Sequence, residues 1–322
     1  MTLPTLKDIG EVSGKRILVR VDWNVPLENG QVRDDFRIRQ SLPTLNYLRE
    51  RGARLVLMAH IEPEDSSLMS VYEHAKTLIP ELSFNDDGDF VLLENLRNNP
   101  GEKKNDPEFA QELAAKGDIY VNEGFSVSHR AHASVVGVPK LLPSFVGLEF
   151  EKEVTELSKA FNPPHPFLFI LGGSKFETKL PLVKKFQNIA DEIHIAGANA
   201  KPAEEMGLRS EPKISFPVGD ITALDADQAN IDILGQKIQG AAFILWNGPL
   251  GKYEDGYTEG TKALAKLIAE SGKDTIVGGG DTVTAIESLG IDDKFTFLST
   301  AGGAMLDFLA NETLPGIDAL KR

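Results

Sequence analysis

Short apolar runs alternate with helical patterns along nearly the whole chain, and the rhythm restarts once near its middle. In the first half, strand-like runs stand at residues 17–21, 55–58, 90–93 and 119–121. Between the first two, Ile38, Leu42, Leu45 and Leu48 recur at helical spacing across residues 37–50. Between the last two, a helix opens near Asp106 with Pro107 in its first turn. In the second half the runs stand at 167–170, 193–195, 214–216, 243–246, 275–277 and 295–298. Strands separated by helices pair in parallel, in sheets covered on both faces. A charged helical stretch, 146–161, runs into Asn162-Pro163-Pro164-His165-Pro166, a cluster that ends helices and marks a boundary. The expected fold is α/β, with two doubly wound, Rossmann-like parallel sheets joined by a helical hinge.

Length and charge narrow the functional classes. A chain of 322 residues suits two domains better than one. A net charge of -14 argues against a nucleic-acid partner, whose phosphates reward a basic surface. The absence of cysteine excludes disulfides, zinc–thiolate sites and thiol catalysis. The N-terminus lacks the basic-then-apolar pattern of a secretory signal, and the apolar runs are strand-length. A soluble, cytoplasmic protein with no membrane partner is therefore expected.

In doubly wound sheets the ligand lies at the carboxyl ends of the strands. Three runs of the second half end in small-residue turns: Leu171-Gly172-Gly173-Ser174-Lys175, Gly278-Gly279-Gly280-Asp281-Thr282 and Ser299-Thr300-Ala301-Gly302-Gly303-Ala304. Glycine lets backbone N–H groups approach an anion, and the helix that follows turns its positive end there. Each turn alone reads as a tight connection; three on one sheet point to a phosphate ligand. Neither G-x-x-x-x-G-K-[ST] nor a strand-borne G-x-G-x-x-G occurs, which excludes a P-loop and weakens a nicotinamide-dependent reading. Asp281 suits either a Mg²⁺ ligand or a helix cap, and both readings stand. The first half places Asp22 and Asn24 just after a strand. It also offers Arg37, His60, Arg97, His129, Arg130 and His132, a set suited to a small anion.

In order along the chain, these segments resemble phosphoglycerate kinase. Arg20-Val21-Asp22-Trp23-Asn24-Val25-Pro26 is similar to the family's R-V-D-F-N-V-P, and Asp34-Asp35-Phe36-Arg37-Ile38-Arg39 to D-D-T-R-I-R. Leu92-Leu93-Glu94-Asn95-Leu96-Arg97 resembles L-L-E-N-V-R, and His129-Arg130-Ala131-His132-Ala133-Ser134 matches H-R-A-H-A-S. Gly172-Gly173-Ser174-Lys175 with Lys179 resembles G-G-A-K…K, Trp246-Asn247-Gly248-Pro249-Leu250-Gly251 matches W-N-G-P-x-G, and G-G-G-D-T stands unchanged at 278–282. The likeness runs from about Leu6 to Leu320.

The resemblance implies reversible phosphoryl transfer between 1,3-bisphosphoglycerate and ADP, giving 3-phosphoglycerate and ATP, in glycolysis. It implies a 3-phosphoglycerate-binding domain at 1–155 and a nucleotide-binding domain at 156–306, with a tail, 307–322, packing back on the first. Asp22, Asn24, Arg37, His60, Arg97 and Arg130 match residues that bind 3-phosphoglycerate. Arg37, Lys175, Lys179 and Gly303 match the group around the migrating phosphoryl. Lys175, Lys179, Gly197, Asn247, Pro249, Glu254, Gly280, Asp281 and Thr282 match positions at the nucleotide, with Asp281 linked to Mg²⁺. ATP, ADP and the phosphoglycerates would be the only partners, and the chain a monomer.

Three departures keep a second reading open, a binding protein of this fold with impaired catalysis. The family's S-H-L-G-R-P is Ala59-His60-Ile61-Glu62-Pro63-Glu64 here, so its arginine is absent. Ala301 replaces the first glycine of S-T-G-G-G-A, where an added Cβ threatens a positive φ or a close phosphate approach. The segment between Ala200 and Ala241 is short, which puts part of the adenine pocket in question.

Overall fold

The computed structural model describes residues 3–321, which form two compact units. One comprises the chain up to Val154 together with the residues from Thr313 on; the other is Thr155–Glu312.

The first unit is built on β1 (Arg16–Arg20), β4 (Arg54–Met58), β5 (Ser83–Phe84), β6 (Phe90–Leu92), β7 (Ile119–Asn122) and β8 (Ser144–Val146), in the order β5-β6-β4-β1-β7-β8. Every pairing is parallel, with Val19 in register with Leu57 on one side and Val121 on the other. Four of the five residues of β1 and of β4 are buried, and all four of β7. This is why these strands read as unbroken apolar runs rather than as alternation. A small hairpin, β2 (Leu27–Glu28) with β3 (Gln31–Val32), turns on Asn29 and Gly30, whose φ values of 51° and 75° are those of an Asn-Gly turn. Helix α1 (Phe36–Glu50) buries Ile38, Leu45 and Leu48. Helix α2 (Met69–Leu78) buries Val71 and Ala75. Helices α3 (Pro100–Lys104) and α4 (Pro107–Ala114) each begin on proline behind a side-chain cap, Asn99 and Asp106. The passage to the second unit falls inside α5 (Leu148–Ser158).

The second unit carries β9 (Phe167–Leu171), β10 (Glu192–Ile195), β11 (Ile214–Ser215), β12 (Phe243–Asn247), β13 (Asp274–Gly278) and β14 (Phe297–Ser299), in the order β11-β10-β9-β12-β13-β14, again all parallel. Helices α6 (Phe176–Phe186), α7 (Ala200–Glu205), α8 (Gln228–Gly240), α9 (Glu259–Ser271), α10 (Gly280–Ser288) and α11 (Gly303–Asn311) complete it. Helix α12 (Pro315–Asp318) belongs to the first unit, where Gly316 N–H donates to Ser128 O at 2.9 Å. Helix α11 buries Met305, Phe308 and Leu309 and carries the second unit past residue 306.

Each unit has its own apolar core. Trp23, Leu45 and Leu57 contribute to the first, and Trp246, Ile244 and Leu264 to the second. Strand order reverses beside β1 in one sheet and beside β9 in the other. The crevice at a ligand-binding switch point thus opens between the ends of β1 and β7, and between those of β9 and β12. The strand ends depart from the sequence pattern for local reasons. β14 starts at Phe297 because Thr275 and Thr296 accept each other's N–H through their hydroxyls. β11 stops at Ser215, two residues before Pro217.

Candidate functional site

At the switch point of the first unit, the end of β1 carries a guanidinium into the interior. Arg20 is 1% exposed. Its Nε donates to Ser134 Oγ at 2.9 Å, its Nη1 to Val21 O at 2.6 Å, and its Nη2 to His60 Nδ1 at 3.1 Å. Ser134 passes the contact on, donating from Oγ to Glu102 Oε1 at 2.5 Å and from N–H to Oε2 at 2.9 Å. Glu102 is fully buried, so a desolvated carboxylate balances a desolvated arginine through one hydroxyl. Burial first, then Arg20, Arg97 and Arg130, hold the His60 imidazole neutral, far below its ordinary range. Because Arg20 can only donate, His60 Nδ1 is an acceptor and Nε2 keeps the proton. Burial and the same arginines push His132 down to about 4.

The residues singled out in the sequence gather around that network. Arg37 on α1 donates from Nη1 to Asn24 O at 3.3 Å and pairs with Asp22 Oδ2 at 3.0 Å. Ser126 Oγ donates to the same Asp22 oxygen at 2.5 Å. Asn24 Oδ1 accepts from Glu62 N–H at 3.2 Å. Arg97 is 6% exposed, and its Nη1 meets Glu62 Oε1 at 2.5 Å. Arg130 Nε lies 3.3 Å from His129 Nε2. The result is a cationic crevice suited to a small polyanion.

In the second unit three glycine turns interlock. Gly172 N–H donates to Asn247 O at 2.8 Å, Gly173 N–H to Pro249 O at 2.7 Å, and Gly248 N–H to Gly278 O at 3.3 Å. The turns after β9, β12 and β13 therefore hold one another at backbone distance. A Cβ at Gly172 would lie 2.3 Å from Pro249 O, and one at Gly248 would lie 2.4 Å from Gly172 O. Gly248 and Gly279 also have φ of 90° and 105°. Only glycine meets both demands. Gly197 (φ 60°) approaches the same turns from the end of β10.

These turns wall a cavity of about 580 Å³. Lys179, Gly197, Asn247 and Pro249 line it from one side, and Glu254, Gly280 and Asp281 from another. The segment 221–224, which sequence reading did not single out, closes it with Ile221, Ala223 and Leu224. That short stretch is braced. Asn230 holds Val218 through N–H and C=O, the Asp225 carboxylate accepts from Gly260 N–H at 3.1 Å, and Lys252 N–H donates to Leu224 O at 2.8 Å. The trimmed region thus still builds an apolar wall.

Lys179 is 7% exposed and donates from Nζ to Gly172 O at 2.8 Å; burial pulls its pKa down to about 8. A desolvated ammonium at the mouth of three N–H-rich turns attracts an anion strongly. Thr282, fully buried in the first turn of α10, has a hydroxyl with no partner. Lys175 caps α6 in a left-handed conformation (φ 61°), its side chain exposed and outside the cavity lining. Gly303 opens α11, behind Gly302, which does line the cavity. The positive φ of this turn, 55°, falls on Gly302, so Ala301 carries no left-handed strain.

Among the described residues no group of three or more His, Cys, Asp or Glu side chains could hold a metal by itself. Asp281 nevertheless suits a cation. Burial, and then the Glu254 charge, raise its carboxyl above the ordinary value, a penalty that a divalent ion would relieve. One carboxylate with open positions beside it fits Mg²⁺ arriving on phosphate oxygens, not a protein-built cage.

Sequence reading missed Arg20, Glu102, Ser134 and Asn95. A charged residue inside an apolar strand run was the available signal for Arg20. Nothing local marked Glu102, whose role arises from folding.

A family model described as "Phosphoglycerate kinase" matches residues 6–202 and 203–312. A phosphoglycerate kinase of Dictyoglomus turgidum is 36% identical, over 99% of this chain and 98% of its own length. That of Borreliella afzelii is also 36% identical, over the whole of both chains. The latter alignment spans 397 positions against 322 residues here, so the relative has at least 397 − 322 = 75 positions without a counterpart. Among solved structures, phosphoglycerate kinase from Coxiella burnetii superposes with a TM-score of 0.86 at 28% identity, covering 99% of each chain. That from Pyrococcus horikoshii does so with 0.85 at 26% identity, covering 99% of this chain and 98% of its own.

Proposed function

The chain belongs to the phosphoglycerate kinase family, and on that premise we propose which of its residues carry the reversible transfer of a phosphoryl group between 1,3-bisphosphoglycerate and ADP. The second unit takes the nucleotide. Its cavity offers an apolar slot for the base beside Pro249 and Leu224, and the interlocked glycine turns with Lys179 receive the phosphates. Mg²⁺ held through Asp281 would neutralise phosphate charge. The first unit takes the phosphoglycerate between Asp22, Asn24, Arg37, His60, Arg97 and Arg130.

In the ATP-consuming direction, a carboxylate oxygen of 3-phosphoglycerate attacks the γ-phosphorus. The new O–P bond forms as the β–γ bridging O–P bond breaks, and the electron pair leaves on ADP. The nucleophile is already ionised at neutral pH, so the site needs no general base. What the protein supplies is position and positive charge around the equatorial oxygens, from Arg37, Lys175, Lys179 and the N–H groups opening α10 and α11 at Gly280 and Gly303. His60, neutral, donates one hydrogen bond from Nε2.

The observation that carries this reading is the set of three interlocked glycine turns closing on a buried lysine. The test is a coupled assay with ATP, Mg²⁺ and 3-phosphoglycerate. Arg37→Ala should lose about 10²-fold or more in kcat; wild-type turnover no higher than that of the variant would overturn the assignment. The reading carries with it a monomeric, cytoplasmic enzyme acting on small molecules. The net charge of -14 supports the exclusion of nucleic acid. Among the described residues no helix is long and apolar enough to cross a membrane.

A further inference from the structure

The cationic crevice of the first unit already holds an anion of its own, the Glu62 carboxylate. Arg97 is the guanidinium it holds: the side chain is 3% exposed, with Nη1 on Glu62 Oε1 at 2.5 Å and a buried Nε that has no partner. Glu62 is 55% exposed at its side chain and stands on the rim, so it covers Arg97 from the solvent side.

The pair is not a chance contact between two mobile side chains. Asn95, 2% exposed, grips the segment that carries Glu62. Its Nδ2 donates to Ile61 O at 3.1 Å, Glu64 O at 3.2 Å and Ser66 O at 2.8 Å. Its Oδ1 accepts from Ile61 N–H at 3.3 Å and from Arg97 N–H at 3.1 Å. One side chain therefore fixes both the backbone before Glu62 and the backbone of Arg97. Ile61 is fully buried, Glu62 N–H is held by Asn24 Oδ1, and Lys103 Nζ braces Glu64 at 2.6 Å. The backbone of both partners is held and the Arg97 side chain is buried, so the ordering cost of the pair falls mainly on the rotamers of Glu62 itself.

Building on the kinase reading, we propose that Glu62 is a resident competitor anion that sets the affinity and selectivity of the acceptor site. A carboxylate or phosphate reaching Arg97 Nη1 must displace Glu62 or bind beside its negative charge. Both routes weaken binding, since like charges at close range repel and a buried arginine already paired offers less to a newcomer. The same carboxylate shields the crevice from inorganic sulfate and phosphate, which have no second anchoring group with which to outcompete it.

The test compares wild type with Glu62→Gln, which keeps the shape and removes the charge, and with Glu62→Ala. Steady-state KM for 3-phosphoglycerate and for ATP are measured, with calorimetric titration of 3-phosphoglycerate and of sulfate into each protein. Both variants should lower KM for 3-phosphoglycerate by about fivefold or more, tighten sulfate binding in parallel, and leave KM for ATP in place. A KM for 3-phosphoglycerate that stays or rises would overturn the proposal and make Glu62 a group that merely orients Arg97. If wild type and variants show no turnover, yet the variants bind sulfate more tightly, the competitor role stands and the kinase reading falls. If no protein binds either anion, both fall.

Discussion

At the scale of single residues, protonation decides how the second unit meets a phosphate. Burial holds the pKa of Lys179 at about 8, below the 10.5 of a free lysine. A bound phosphate favours the ammonium and raises the pKa again, so binding draws in protons wherever the free protein has lost them. At pH 8 nucleotide binding should therefore take up about half a proton. Above pH 8, affinity should fall by up to tenfold per pH unit. Calorimetry in two buffers of different ionisation enthalpy reads the uptake, and Lys179→Arg, permanently charged, should abolish it. Uptake that persists in the arginine variant would assign the proton elsewhere. Legibility at this scale was uneven. Arg37, Lys179 and Asp281 announced themselves by standing in motifs after strands. Glu102 stood in none, and Arg20 opened one without its role being readable, because their partnership spans more than eighty positions and exists only once β1 and α3 are packed.

At the scale of elements, glycine turns and helix starts bear the load. Gly172→Ala places a methyl group 2.3 Å from Pro249 O, where the obstacle is backbone and cannot swing away. A loss of about 1–3 kcal/mol is expected, with weaker ADP binding because the β9 and β12 turns are forced apart; denaturant melts and calorimetry report the two effects. The start of α5 holds a different device. Burial raises the pKa of Glu123 to about 8. Its Oε1 accepts from Glu149 N–H, and its Oε2 is buried without a partner. The unfolded chain loses this proton near pH 4.5 and the folded one near 8, so the folded state binds more protons between those values. Over that window Glu123 makes stability fall as pH rises, by at most about 1.4 kcal/mol per unit. In Glu123→Gln that component should vanish from chemical unfolding measured between pH 5 and 8. Long strands and α1 were legible from periodicity. β8, β5 and α2 were not: β5 is two half-buried residues ahead of an acidic turn, β8 is three residues between Pro143 and the start of α5, and α2 presents few buried side chains. The Asn29-Gly30 turn was a readable hairpin signal that the flanking polar residues obscured.

For the whole molecule, two separate cores imply two separable responses to ligand. A ligand confined to one unit stabilises that unit, by about 2.7 kcal/mol at a hundred times its Kd. Differential scanning calorimetry should show ADP raising the midpoint of one transition while 3-phosphoglycerate raises the other. Both ligands acting on one transition would contradict the assignment of substrates to units. The two-sheet architecture was legible because parallel strands buried on both faces leave long apolar words in the sequence. The cavity was legible only in part: its glycine floor is written in motifs, whereas its wall at 221–224 depends on Asn230 reaching back to Val218 and on Asp225 meeting Gly260, contacts of a loop without pattern.

All twelve strands of the two sheets run the same way within their sheet, so each sheet has a working rim and an idle one. Gly240 ends α8 on the idle rim, just ahead of β12; it is exposed, with nothing within 4 Å of where a side chain would begin. The chain has no cysteine of its own. A lone thiol installed at Gly240 would therefore be a single attachment point for a fluorophore or a surface tether, at the opposite end of the strands from the glycine turns and leaving them free to work.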